Sequence, residues 1–269
     1  MKVEGKLRRF FVIALLLIAS LVSAHDLFLA AHPFFLETPG RIQIAMNIAE
    51  AFPGKEERWR ADKTARFWMV GDGITQTYPA KEEKNPTITL PKEGTYVIAW
   101  NATDSYIDIE GKEFNEYIEA EGYHNVAALR KQQGKENAGG RERYTRFLKT
   151  IAQVGNKFTD DYGKRLGQKL EIIPLQNPYS IKLGAPLPVK LLFDGVPIVG
   201  IRMMATYNTY SKEHDVYAHT AETDSNGIAN IPLSKKGLWM IRANHMLPLK
   251  DDPKADWQSF WTNCTFEVR

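Results

Sequence analysis

Arg41-Ile42-Gln43-Ile44-Ala45-Met46-Asn47-Ile48 sets four large apolar side chains at alternate positions. A period of two is the mark of a strand with one face buried, so this stretch predicts β structure. Working outward, Ala65 to Val70 and Thr95 to Trp100 are short runs rich in aromatic and β-branched residues. They are bounded by Gly71-Asp72-Gly73 and by Glu93-Gly94, which are turn signals. From His25 to about Asn101 the pattern is antiparallel and all-β.

The character changes at Glu113 to Arg130 (EFNEYIEAEGYHNVAALR), which is dense in helix formers and carries Phe114, Tyr117 and Ile118 on one helical face. Gly122 is the expected break between two short helices, so a small α-helical insertion is predicted near 111–134. Its carboxylates, Glu113, Glu116, Glu119 and Glu121, read as a solvated helix face, and His124 as the tip of the insertion. Arg141 to Val154 is ambiguous, because Tyr144, Phe147, Leu148, Ile151 and Val154 keep helical spacing while its threonines suit a strand. Strands resume at Leu170. Pro188 to Thr206 reads as two strands around an Asp194-Gly195 turn, with Val199, Ile201, Met203 and Ala205 on one face of the second. Thr223-Asp224-Ser225-Asn226-Gly227 is a further tight turn, and the strands Gly237 to Met246 and Ser259 to Val268 close the set.

The expected fold is therefore all-β, with two β-sandwich lobes. The first spans 25–165 and carries the insertion. The second spans 166–269 and is immunoglobulin-like or transthyretin-like, a form that needs about 100 residues.

Residues 1–24 read as a signal peptide. Lys2, Lys6, Arg8 and Arg9 precede a 13-residue apolar run from Phe10 to Val22, and Val22 and Ala24 are the small residues expected before the cut. The run falls short of the roughly 20 residues of a membrane span, so no span is expected in the mature chain, and the location is periplasmic or secreted. The alternative is an uncleaved leader kept as an anchor. Of 35 Lys/Arg and 32 Asp/Glu, the leader holds four and one, which leaves 31 of each. A neutral mature chain removes the electrostatic case for nucleic acid.

Cleavage after Ala24 makes His25 the first residue, and an N-terminal histidine offers both its α-amine and its ring to one metal ion. The amine is a weak enough base for a divalent ion to displace its proton at neutral pH. The other histidines are His32, His124, His214, His219 and His245. No pair has zincin spacing, and there is no cysteine pair, phosphate loop or nucleophile elbow, so a non-enzymatic protein is expected. His245 ends the row Trp239, Ile241, Ala243, and His219 lies before the Asn226-Gly227 turn. The expected metal ligands are His25, with His245 or His219 from the second lobe. The single Cys264 reads as a packed strand residue.

Eight segments in this order, HDLFL (25–29), EFNEYIEAEGY (113–123), GRERYTRFLK (140–149), LEIIPLQNP (170–178), LLFDGVPIVGIRMMATY (191–207), TDSNGIANIPL (223–233), GLWMIRANH (237–245) and ADWQSFWTNCTFEV (255–268), are spread from one end of the mature chain to the other. Together they resemble the periplasmic NikM-like nickel-uptake domain family. The family's start more often reads His-Asp-Phe-Trp, whereas Leu27-Phe28 follow His25-Asp26 here, which changes the packing beside the histidine.

The resemblance implies two β-sandwich lobes, a periplasmic location and a role in nickel or cobalt acquisition beside an inner-membrane metal transporter. It implies no catalytic residues. Three functions stay open on the residues. The first is a metal-binding accessory protein for nickel or cobalt, ions that suit imidazole and amine nitrogens. The second is a copper carrier or histidine-brace copper protein, since Cu(II) binds nitrogen sites at least as tightly. The third is an adhesive or scaffolding β-sandwich that binds no metal.

Overall fold

The computed structural model describes residues 26–79, 84–213 and 215–269. The leader reading over 1–24, His25 and His214 lie outside the described residues. Strands β1 (Asp26–His32), β2 (Phe35–Leu36), β3 (Gly40–Ala49), β4 (Lys55–Glu57), β5 (Thr64–Gly71), β6 (Ile74–Thr77), β7 (Thr87–Leu90), β8 (Gly94–Ala102) and β9 (Ser105–Ile109) lead to helices α1 (Gly111–Ala120) and α2 (His124–Gln132). The chain returns through β10 (Gly140–Val154) and continues as β11 (Leu170–Pro174), β12 (Pro186–Phe193), β13 (Val196–Pro197), β14 (Arg202–Tyr207), β15 (His219–Glu222), β16 (Ile228–Pro232), β17 (Gly237–Pro248) and β18 (Trp257–Val268).

These strands form three sheets. The first orders β1-β3-β4, with β7 on β3. The third orders β11-β12-β13, with β16 on β12. Between them runs a ten-stranded sheet, β15-β14-β17-β18-β10-β8-β5-β6, to which β2 and β9 add at β10. Two sandwich lobes are present, and they share this central sheet. The join is the parallel pairing of β10 with β18, from Glu142↔Trp257 to Thr150↔Thr265.

Parity shows how the layers stack, because alternate residues of a strand point to opposite faces. In β10, Leu148, Ala152 and Val154 pack with Phe28 and Ile44 of the first sheet, while Phe147 and Ile151 pack with Leu170 and Leu187 of the third. In β17, Met240 belongs to the first core, and Trp239, Ile241 and Ala243 to the second. The first and third sheets therefore cover opposite faces of one sheet. This explains why Tyr96 to Trp100 and Trp257 to Thr265 are buried without alternation. It also resolves Arg141 to Val154. Apolar residues on both faces of a doubly covered strand imitate a helical stripe, and the segment is strand throughout.

Two expectations change in detail. Val199 to Ala205 does not continue a hairpin with β12. The pairing ends after Leu192↔Pro197 and Phe193↔Val196, Val199 is 58% exposed, and β14 pairs with β17 in the central sheet. Near the expected 165/166 boundary the chain passes from the central to the third layer, and contacts cross it. Lys149 of β10 and Glu171 of β11 form an ion pair of 2.6 Å with both side chains 2% exposed. Glu171 also accepts from the backbone N–H of Leu166 at 2.7 Å, which shapes the crossing.

The insertion lies on the same face as the first sheet. Phe114, Tyr117 and Ile118 of α1 and Val126 of α2 pack on Met246, Trp257 and Trp261. Beside them, Asn263 Nδ2 donates to the Leu27 carbonyl at 2.7 Å and Thr265 Oγ1 to that of Leu29 at 2.5 Å. Thus β1 and the helices sit side by side on one face of β17 and β18, and polar groups fill the seam between them.

Candidate functional site

The second parity row of β17 builds this seam. Arg242 and Asn244, flanked by Met240 and Met246, alternate with the row Trp239, Ile241, Ala243 and so point toward β1 and the insertion. Arg242 is 2% exposed. A guanidinium taken out of water requires partners, and three elements supply them. Asp26 of β1 places Oδ1 3.2 Å from Arg242 Nε. Glu121, just after α1, accepts from Arg242 Nη2 and from Asn244 Nδ2. Tyr217 accepts from Arg242 Nη1 and donates to Asp26 Oδ2 at 2.9 Å. Arg242 also lies over the Trp261 ring, 5.3 Å from its centroid.

A second buried carboxyl extends the network. Glu142 of β10, 1% exposed, accepts from Tyr117 at 3.1 Å and from Ser259. Trp261, stacked on Tyr117 at 6.3 Å, donates to Ser259 Oγ at 2.8 Å. Burial pushes Glu142 up to about 7, against the hydrogen bonds that favour its charged form. Burial also pushes Glu121 up to about 7, outweighing the attraction of Arg242. Arg242 is held above its ordinary value, because Asp26 and Glu121 overcome the cost of burying its charge. The carboxylates read as a solvated helix face therefore include one, Glu121, that is 6% exposed and bonded into the protein.

A cavity of about 670 Å³ opens over this network, lined by Glu121, Arg242, Tyr217, Met204, Arg202 and Glu222 among others. Its volume falls in the range of small-molecule sites. At its rim Arg202 of β14 donates to the Ala120 carbonyl at 3.3 Å and meets His124 Nε2 at 3.2 Å.

The expected ligands are distributed differently. His219 stacks on Trp239, centroids 6.0 Å apart and planes 3° from parallel, with Nε2 3.4 Å from Ser234 Oγ. His245 meets Phe193 edge-on at 5.0 Å, and burial lowers its pKa to about 4. Both lie on the face toward the third sheet. Ala205 pairs with both His219 and Ile241, so the two histidines stand two strands and four residues apart, roughly 16 Å. One ion cannot bridge them at that distance.

Asp26, which follows His25 in sequence, is on the opposite face with Arg242. The row ending in His245 is core-facing as expected, but that core is the one under the third sheet. Among the described residues, no group of three or more His, Cys, Asp or Glu is arranged to hold a metal. Cys264 is buried, and burial pushes its thiol up to about 12, so it supplies no thiolate at neutral pH. His124, read as the tip of the insertion, contacts Arg202, a residue of the cavity lining. The signal in the sequence is Arg242 and Asn244 themselves. A charged and an amide side chain between Met240 and Met246 mark a second covered face whose polar groups must be paired.

Among solved structures, the D0-D1 domain of intimin is 11% identical, aligned over 90% of this chain and 97% of its own, with a TM-score of 0.23. An ice-binding, Ca2+-stabilised adhesin of an Antarctic bacterium is 7% identical over 91% of this chain and 49% of its own, also with a TM-score of 0.23. At these scores neither likeness supports a conclusion about this chain. A comparison with curated proteins returns no significant match. One family profile spans residues 22–247, from near the expected cleavage site into β17, and the chain accordingly belongs to the family described as a domain of unknown function, DUF4198.

Proposed function

We propose that the protein is an exported metal-binding accessory protein that captures a divalent ion, nickel or cobalt, at the cavity over Arg242 and presents it to an inner-membrane transporter. The observation that carries this reading is the clamp on Asp26. Both its carboxylate oxygens are engaged, by Arg242 at 3.2 Å and Tyr217 at 2.9 Å, so the residue following His25 is fixed beside a cavity lined by Glu121, Asp215 and Glu222 together with Arg202 and Arg242. In a chain cut after Ala24, His25 contributes an α-amine and an imidazole. Glu121 and Glu222 contribute oxygens nearby. Mixed nitrogen and oxygen donors without thiolate suit nickel, cobalt and copper over Cu(I) or structural zinc. His219 and His245 take no part in this donor set. Because described residues alone supply no such group, capture depends on His25.

The test compares the chain beginning at His25 with one extended by a glycine ahead of it, under calorimetric titration with Ni(II), Co(II) and Cu(II). The extension removes the chelating amine and leaves the described fold untouched, so it should weaken binding sharply. Equal affinity for the two chains overturns the reading. A preference for Cu(II) beyond the ordinary divalent order would favour the copper carrier or histidine-brace alternative. A chain that binds no ion would be the scaffolding or adhesive β-sandwich protein.

A further inference from the structure

Glu142 stands in β10 beside Ile107 of β9 and Trp257 of β18, on the face that α1 and α2 cover. Its Oε1 collects a hydrogen bond from Tyr117 of α1 and another from Ser259 of β18. Its Oε2 is buried with no partner among the described residues. A carboxylate ion needs donors on both oxygens, so this site holds the neutral acid at lower cost than the ion. The cations on this side are committed elsewhere. Arg146, on the same face of β10, lies over the Tyr144 and Trp261 rings at 5.0 and 5.5 Å, and burial outweighs its pull on Glu142. Arg242 is paired with Asp26 and Glu121, and Arg130 of α2 donates to the Ala138 carbonyl at 2.6 Å. Tyr117 and Tyr123 of the insertion stay neutral, since burial raises both.

We infer that the helical insertion is a proton-operated flap: with Glu142 protonated, α1 and α2 stay on β17 and β18, and loss of that proton lets them open. Opening brings water to a carboxylate that lacks donors when buried, so deprotonation favours the open form. The sign follows from a folded pKa of about 7 against an ordinary 4.5. The flap is held most firmly below pH 4.5 and loosens as pH rises to about 7. Glu121 is also raised to about 7, but Arg242 and Asn244 meet its charge inside the protein, so the unmet charge is that of Glu142. The return to the sheet can yield, because residues 133–139 are exposed and Gly134 takes φ 63°. Ala120 and Glu121 line the cavity over Arg242, so opening removes one of its walls and bares Met246, Trp257 and Trp261. Access to the cavity then follows pH whatever the cavity holds, and the inference does not depend on the metal reading.

The test uses the full chain beginning at His25, with no metal added, and follows amide hydrogen exchange by mass spectrometry from pH 5 to pH 8. Each rate is divided by its unstructured value at that pH. In the native chain the opening equilibrium of residues 111–132 should rise about 50- to 100-fold across this range. Glu142→Gln keeps a neutral side chain and should lose most of that rise. Tyr117→Phe removes a bond that favours the charged form, so its rise should extend to higher pH. This second variant keeps the carboxyl and decides the question should Glu142→Gln fail to fold. A flat native profile, an equal rise in Glu142→Gln, or an unshifted profile in Tyr117→Phe overturns the inference. So does exchange of 111–132 only in step with β11 and β12, because the insertion would then open only when the whole chain unfolds.

Discussion

Arg242 Nε lies 3.2 Å from Asp26 Oδ1, a contact between the strand that opens the described chain and one near its end, with side chains 2% and 10% exposed. With Glu121 and Tyr217 it ties β1, the helical insertion and the loop before β15 to the central sheet. Removing one member of a buried ion group leaves the others uncompensated. Arg242→Ala should therefore cost about 3–5 kcal/mol of unfolding free energy, read from urea denaturation. Arg242→Met, which also deletes the charge but fills the volume, should cost less. A loss under about 1 kcal/mol for Arg242→Ala would show that the cluster does not organise the seam.

Lys149 and Glu171 join the central and third layers in the same way. Lys149→Ala should be destabilising on the same scale, and the pair Lys149→Met with Glu171→Met should restore most of the loss, since no charge is then buried alone. Denaturation of the two single variants and the double variant measures this. Additive losses would mean that the two side chains act independently.

Glu142 sets a pH dependence of unusual sign. Its folded pKa, about 7, lies above the ordinary 4.5, so between these values the folded state binds more protons than the unfolded. Stability contributed by the protonated carboxyl is present below pH 4.5 and is lost as pH rises to about 7. Glu142→Gln keeps a neutral side chain and should gain relative to the native chain on going from pH 5 to pH 8, by up to about 3 kcal/mol. A constant difference between the two urea midpoints across that range would refute the assignment.

His245 and its strand partner Phe260 both meet the Phe193 ring at 5.0 Å, so His245→Ala should cost about 1–2 kcal/mol of stability. Affinity for Ni(II) should not change, nor should it in His219→Ala. A tenfold loss of affinity in either variant would bring the third-sheet face back into the metal site.

Export is checked by mass. The protein recovered from the periplasm should begin at His25, because Val22 and Ala24 occupy the positions a signal peptidase reads. A chain that retains residues 1–24 has no α-amine at His25, and the chelate cannot form.

Local pattern alone determined much of this protein. The period of two in Arg41 to Ile48, the helix formers and Gly122 of the insertion, and the turn residues between strands are short-range features, and the elements follow them. The burial of Trp239 and Ile241 was likewise legible, because parity along one strand needs no knowledge of its neighbours. What covers each face is a different question. Trp239 and Arg242 belong to opposite rows of β17, and only the stacking of the third sheet on one side and of β1 with the helices on the other makes the first row core and the second a site. The same holds for His245, whose row is core-facing, but toward the layer away from Asp26. Alternation states that two faces exist; it does not say which partner lies on which. That choice is made by long-range pairing, here the parallel register of β10 on β18, in which residues more than 100 positions apart are brought together and all the interlayer contacts follow.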